Sequence, residues 1–262
     1  MKIKTKIYDI SSNLNKIITL ISDIHYKDKS DIKKLNNVLE SIRKIKPDFI
    51  CITGDITDNY NLLDEDIYIA WYKNLASISK VIICLGNHEF YFKKNKKTYK
   101  LNKNFFEKLT KINNLYLLDN KNYKFDNINF IGVTLPIEYY DNEEKNKEKV
   151  IDYVCNNIKK EDGYNILLIH SPINITNEKL IKKIGVDLIL CGHMHGGVVL
   201  DLFRPIFKNN GLIAPKKKLF PKNAYGNICI DNTNIIITSG LKVLPYKYLN
   251  KLFEIEIVKI NL

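Results

Sequence analysis

Five histidines stand in this chain, and every one of them follows an apolar run of strand length. His25 lies in "LISDIHYKD", His88 in "CLGNHEF", His170 in "LLIHSP", and His193 and His195 in "DLILCGHMHGG". The run ending in "TGDITD" carries Asp55 in the same position. In α/β sheets, ligands bind in the crevice outside the carboxyl ends of the strands. Five strand ends therefore deliver Asp23, His25, Asp55, Asn87, His88, His170, His193 and His195 to one rim. Only a fold that sets these strands side by side can bring them together.

The remaining sequence fits such a fold. Apolar runs at 16–22, 48–54, 80–86, 127–135, 164–170 and 187–192 read as buried strands, as does "NLYLLD". Residues 31–46 place apolar side chains at 32, 35, 38, 39, 42 and 45, a helical stripe that Pro47 stops. Residues 64–79, 95–113, 142–160 and 176–184 also read as helices. Strand–helix alternation predicts an α/β class fold. The close spacing of "NICI", "NIIITS" and "FEIEIVKI" adds antiparallel strands, hence mixed sheets. A chain of 262 residues can bury one large core of this kind, and no linker divides it. A single domain over 1–262 is expected.

The spacing within the motifs suits a shared site. Asp23 and His25, and likewise His193 and His195, are two residues apart, so in extended backbone each pair would point the same way. Asn87 and His88 are adjacent and must point differently. Gly54, Gly86 and Gly192 precede ligand positions, where the backbone turns tightly or is closely approached. Imidazole, carboxylate and one amide make a donor set for Mn, Fe or Zn, with no soft thiolate in it. The five cysteines form no CxxC pair, and Cys51, Cys84 and Cys191 sit in apolar runs as small buried hydrophobes.

Taken in order, Asp23-x-His25, Gly54-Asp55-x-x-Asp58, Gly86-Asn87-His88-Glu89, His170 and Gly192-His193-x-His195 resemble the motifs of the calcineurin-like metallophosphoesterase family. The resemblance spans residues 17 to about 197. It implies a four-layer αββα sandwich of two mixed sheets flanked by helices, with two divalent metal ions at the strand ends. By that resemblance Asp23, His25 and His195 hold one ion, Asn87, His170 and His193 hold the other, and Asp55 bridges both. His88 is then no ligand; it faces the phosphate and stabilises it or protonates the leaving oxygen. Asp58 and Glu89 are read either as partners of the ligand histidines or as loop carboxylates and helix caps.

The implied activity is metal-dependent hydrolysis of a phosphate ester. Protein phosphatases of this superfamily carry an arginine directly after the GDxxD motif. Asn59 stands there, and the chain has only Arg43 and Arg204, so a phosphodiesterase acting on a small-molecule or lipid-linked phosphodiester or pyrophosphate is expected instead. Gly196-Gly197 after His195 resembles a bacterial phosphodiesterase branch. A metal-dependent nuclease would use the same site, and a non-catalytic scaffold would be expected to have lost ligands.

Residues 198–226 follow the last ligand directly. They read as a cap in which Arg204, Lys216, Lys217 and Lys218 meet an anionic substrate, or as a loop that packs over the sheet edge. A net charge of +12 suits phosphate esters, an anionic membrane surface or nucleic acid, the last least favoured for want of a binding motif. It equally suits lysines spread over a solvated surface. No apolar run is long enough to span a membrane, and the N-terminus has no apolar signal region, so a cytoplasmic location is expected.

Overall fold

Alternate residues of single strands face different neighbours, and this sets the layering. The structure, a computed structural model, describes residues 3–57, 64–92, 98–100, 102–140, 146–215, 218–241 and 255–262. In β3 (Phe49–Thr53) every residue is buried. Phe49 and Cys51 enter a core between two sheets, while Ile50 and Ile52 enter a second core under helices. A strand buried on both faces must be a continuous apolar run, as "FICIT" is.

The first sheet has the order β1 (Ile3–Asp9), β14 (Ile255–Asn261), β2 (Ile17–Ile21), β3, β4 (Lys80–Cys84), β7 (Leu115–Leu118). The second has the order β12 (Gly226–Ile230), β13 (Thr233–Ile237), β11 (Leu188–Cys191), β10 (Tyr164–Ile169), β9 (Ile128–Val133), β8 (Lys121–Phe125). Strands β2, β3, β4 and β7 run parallel, and so do β9, β10, β11 and β13. Antiparallel pairing of β14 with β2, of β12 with β13 and of β8 with β9 makes both sheets mixed.

Helices α1 (Ile32–Ile45), α2 (Glu65–Ile78) and α3 (Lys103–Leu109) cover the outer face of the first sheet, where Leu35, Val38, Trp71, Tyr72 and Phe105 join Ile50 and Ile83. The Trp71 indole donates to the Leu35 carbonyl at 2.9 Å and ties α2 to α1. Helices α4 (Lys147–Asn157) and α5 (Glu178–Ile184) cover the second sheet through Val150, Val154, Leu180 and Ile181. The expected sandwich of two mixed sheets between helices is present.

Three local expectations change. Residues 95–113 do not form one helix: β5 (Phe90–Phe92) pairs with β6 (Thr98–Lys100), and only Lys103–Leu109 is helical. The β-branched and aromatic pair Thr98-Tyr99 favours the strand. Helix α4 is shorter than 142–160, and residues 141–145 lie outside the described residues. Strands β1 and β8 are additional. Each has a polar, half-exposed face, so neither shows the apolar run that marked the buried strands.

Candidate metal centre

The ligand motifs leave the ends of β2, β3, β4, β10 and β11, which are neighbours within the two sheets. Backbone bonds lace the loops together. The Asp23 amide donates to the Gly54 carbonyl at 3.1 Å, the His25 amide to Asp55 at 2.9 Å, and the Gly192 amide to His170 at 2.9 Å. The motifs therefore form one rim because their main chains are bonded to each other.

The two-apart pairs converge by a different route from the extended one. Asp23, His25, Asp55, His193 and His195 all hold positive φ, between 47° and 68°. Left-handed backbone costs a non-glycine residue roughly 1 kcal/mol or more, and persists where the surroundings over-determine it. A Cβ on Gly54 would stand 2.5 Å from the Gly86 nitrogen, and one on Gly192 only 1.9 Å from the Ser22 Oγ. At both positions the side chain is absent because another loop occupies its place.

The converged side chains fall into groups whose ligand atoms lie within 4.8 Å of one another: Asp23, His25 and His195; Asp55, His170 and His193; and His25, Asp55 and His88. Asp55 belongs to the second and third groups and lies near His25 of the first. Asp55 Oδ2 is 3.1 Å from His170 Nε2 and 3.7 Å from His25 Nε2. Asp23 Oδ1 is 3.7 Å from His195 Nε2 and 3.9 Å from His25 Nε2.

The donors are set up for cations. The oxygens Asp23 Oδ1 and Asn87 Oδ1 are buried and accept no hydrogen bond, an arrangement that costs free energy unless something positive meets them. The Thr53 carbonyl lies 2.5 Å from His170 Nδ1, so that nitrogen carries the hydrogen and Nε2 faces Asp55. Burial disfavours the charge on Asp55, but His170, His88 and His25 outweigh it and hold the carboxyl well below the usual carboxylate range. Burial likewise opposes charge on His170, and Asp55 again outweighs it and raises that imidazole. A cation entering here replaces a proton held between the two. Burial and His170 together lower His193 to about 3, so its ring is neutral.

His88 differs from its neighbours. Its side chain is 42% exposed, whereas those of Asp55 and His170 are 2% and 0% exposed. Its amide donates to Asp55 Oδ1 at 2.9 Å, and its ring meets the His25 ring edge-on at 4.6 Å.

The remaining expected residues divide. Glu89 is buried, but its carboxylate does not orient a ligand histidine. It accepts from the amides of Asp55, Ile56, Thr57 and Gly86, between 2.6 and 3.3 Å, and so ties the β3 loop to the β4 loop. Burial and the Asp55 charge raise its pKa to about 7. Arg204 is engaged with main chain: Nη2 donates to Gly196 at 2.7 Å and Val199 at 3.1 Å, and the guanidinium lies 4.1 Å from the Tyr225 ring centre. Lys218 is exposed and lines, with Met194, Pro172, Phe220 and Lys222, a cavity of about 340 Å³ beside the ligand loops. Asp58, Lys216 and Lys217 lie outside the described residues.

Sequence reasoning missed Tyr140, whose buried ring stands 5.3 Å from His193 and 6.3 Å from His170. It also missed Ser22, whose hydroxyl donates to the Thr53 carbonyl that holds His170. Neither residue carries a motif; only the fold brings them near.

The calcineurin-like phosphoesterase family matches residues 17–197. The chain belongs to that family. An uncharacterized metallophosphoesterase of Helicobacter pylori is 26% identical over 182 residues, which are 70% of this chain and 45% of that protein. A putative metallophosphoesterase of Caenorhabditis elegans is 29% identical over 202 residues, 71% of this chain and 38% of its own. The chain thus spans about half the length of the curated relatives it matches. Among solved structures, a dimetal phosphatase from Danio rerio aligns over 88% of this chain and 89% of its own, at 13% identity and a TM-score of 0.48. Within the described residues of the phosphoesterase, no helix is long and apolar enough to cross a membrane.

Proposed function

We propose that this phosphoesterase binds two divalent ions, Mn, Fe or Zn, and hydrolyses a phosphodiester or pyrophosphate bond in a small-molecule or lipid-linked substrate. One observation carries the reading: two groups of donors stand side by side, with Asp55 in one and 3.7 Å from His25 of the other, and the Asp23 and Asn87 side-chain oxygens are buried without a hydrogen bond. In this reading Asp23, His25 and His195 hold one ion, and Asn87, His170 and His193 the other. Bound divalent ions supply positive charge that polarises a phosphoryl group and makes water a better nucleophile. The chain's own residues do the rest. Asp55 keeps the two sites adjacent, because one carboxylate offsets charge on both sides. Thr53 fixes the His170 ring through Nδ1. His88, exposed at the rim, meets the ester and donates a proton to the departing oxygen or a hydrogen bond to the phosphoryl group.

The cavity lined by Met194, Lys218, Phe220 and Lys222 is the proposed seat for the rest of the substrate. Its cationic and apolar lining suits an anionic group joined to an apolar or aromatic one. A phosphodiesterase is favoured over a protein phosphatase because Arg43 and Arg204 are the only arginines, and Arg204 faces main-chain carbonyls. An anionic membrane surface fits as partner better than nucleic acid does.

The test is a panel of one phosphomonoester, one phosphodiester, one nucleotide pyrophosphate and single-stranded DNA, assayed with Mn²⁺. Chelator-treated protein is expected to lose hydrolysis of the phosphodiester or pyrophosphate and regain it with added ion. Full activity in metal-free protein, or cleavage of DNA alone, overturns the reading.

A further inference from the structure

Among the described residues, most of the large apolar side chains left in solvent belong to one stretch. Leu202, Phe203, Ile206, Leu212, Leu219 and Phe220 are 39% to 81% exposed, against only Ile7, Ile67 and Tyr123 elsewhere among the described residues. The stretch makes two projections rooted on one glycine turn. The first is a helical segment over 201–207, which Arg204 fastens to the Gly196 carbonyl. The second is made by 211–215 and 218–221: Leu212 and Ile213 donate to the Gly197 carbonyl, and Phe220 donates to Leu212.

What packs inward along this stretch is small. Alongside Tyr225, the buried apolar side chains here include Val199, Ala214 and Ala224; Leu200, Phe207 and Ile213 are half-buried, while Leu202, Phe203, Ile206, Leu212, Leu219 and Phe220 point out. A loop that merely covered a sheet edge would bury the large side chains first. The charge is also one-sided. Asp201, at the start of the first projection, is paired with Lys4 at 2.7 Å; from 202 to 230 the sequence has six Lys and Arg residues and no Asp or Glu, and Lys208, Lys218 and Lys222 are exposed.

From this juxtaposition we infer that the 202–222 surface docks the protein on an anionic lipid bilayer. Leu202, Ile206, Leu219 and Phe220 enter the headgroup boundary, and the lysines meet lipid phosphates. A protein partner fits less well, because lysine is depleted from apolar protein interfaces. A nucleic acid fits less well too, because the two most exposed of these apolar side chains, Leu202 and Ile206, have no ring on which a base could stack. Docking would set the metal rim at the membrane surface, since Gly196 and Gly197 directly follow His195. The inference goes beyond the hydrolytic reading and stands without it, because membrane binding is measured with no substrate present.

The experiment is co-sedimentation of the whole chain with vesicles of phosphatidylcholine alone, or of equal parts phosphatidylcholine and phosphatidylglycerol. Binding to the anionic vesicles is expected, at least about tenfold tighter than to the neutral ones, since each lysine at the surface contributes about fivefold. The double variant Ile206→Ser with Phe220→Ser should weaken it by about tenfold or more, with an unchanged circular dichroism melt. Lys208→Glu with Lys222→Glu should do the same. No binding to either vesicle overturns the inference. So does binding that the serine variant retains in full while single-stranded DNA displaces it, which identifies a nucleic-acid surface. A concentration-dependent dimer that the serine variant abolishes, with no vesicle binding, identifies a self-interface and overturns it as well.

Discussion

At the metal rim, Asp23 and His170 are wholly buried, and five site residues are held in left-handed backbone by bonds from neighbouring loops. Within eleven residues of His195, Leu202 and Ile206 stand 81% and 76% exposed. The contrast separates two kinds of specification. Rim residues are placed by main-chain bonds, close glycines and a buried carboxylate that spans two loops, so each position depends on several others. The segment after the rim is placed by a few bonds to Gly196, Gly197 and Asn209, and its outer side chains touch little. Substitutions at the rim should therefore propagate, and those on the outer segment should stay local.

The sharpest way to break this contrast is at Asp55. Asp55→Ala removes a carboxylate that lies beside both donor groups. Both ions should be lost, with hydrolysis falling on the order of 10⁴-fold or more, as expected when several kcal/mol of charge stabilisation go with them. Metal content by mass spectrometry of the native protein, alongside rates, checks it. A variant that keeps two ions and turns over normally would show that Asp55 is not the bridge.

Glu89 tests whether the rim is a unit of backbone. Its carboxylate accepts from four main-chain amides on two loops. Glu89→Ala strands buried donors, and should cost about 3 kcal/mol or more of stability and lower metal occupancy without touching a ligand. Denaturant unfolding with and without Mn²⁺ reads this. Unchanged stability would mean that the loops hold their places without the carboxylate.

His88 should behave unlike the other histidines. His88→Ala is expected to keep both ions and the fold while losing about a hundredfold in rate, more for esters with poor leaving groups. His25, His170, His193 and His195, replaced singly by alanine, should each weaken metal binding. If His88→Ala loses an ion, the group formed by His25, Asp55 and His88 is a true site and the division of roles fails.

Much of this rim was legible in the sequence because its cause is local. An apolar run followed by a polar, glycine-bounded motif announces both the strand and its ligand end, and five such runs imply a shared crevice. The way the side chains converge was not legible. Asp23 and His25 suggest alternation along extended backbone, whereas each turns left-handed because Gly54 and Asp55 carbonyls on the next loop capture their amides. Glu89 reads either as a partner for histidines or as a helix cap, and the fold decides for the cap, with both its oxygens on main-chain amides. Tyr140 and Ser22 carry no pattern at all. Strands β1 and β8 escaped because their outer faces are polar, and the 95–113 segment because its pairing partner lies before it in the chain.

The smallest expected effect joins the two regions. Arg204 belongs to the exposed segment, yet its Nη2 holds the carbonyl of Gly196, the residue after His195. The guanidinium rests on Tyr225, whose hydroxyl donates to Glu256 at 2.5 Å, and Thr238 donates to the same carboxylate at 3.0 Å. Glu256 lies on β14 of the first sheet and Thr238 just beyond β13 of the second, so Arg204 anchors the glycine turn to both. Arg204→Ala should let His195 wander and weaken the ion at the Asp23, His25 and His195 group by about tenfold, within the range seen when a ligand's support is removed. Arg204→Lys should recover only part, since an ammonium neither stacks on the ring nor forks between two carbonyls. The decisive readout is metal titration of activity. Excess Mn²⁺ should restore most of the rate if Arg204 acts through His195. A loss that no amount of metal repairs, at unchanged stability, would place Arg204 against the substrate instead.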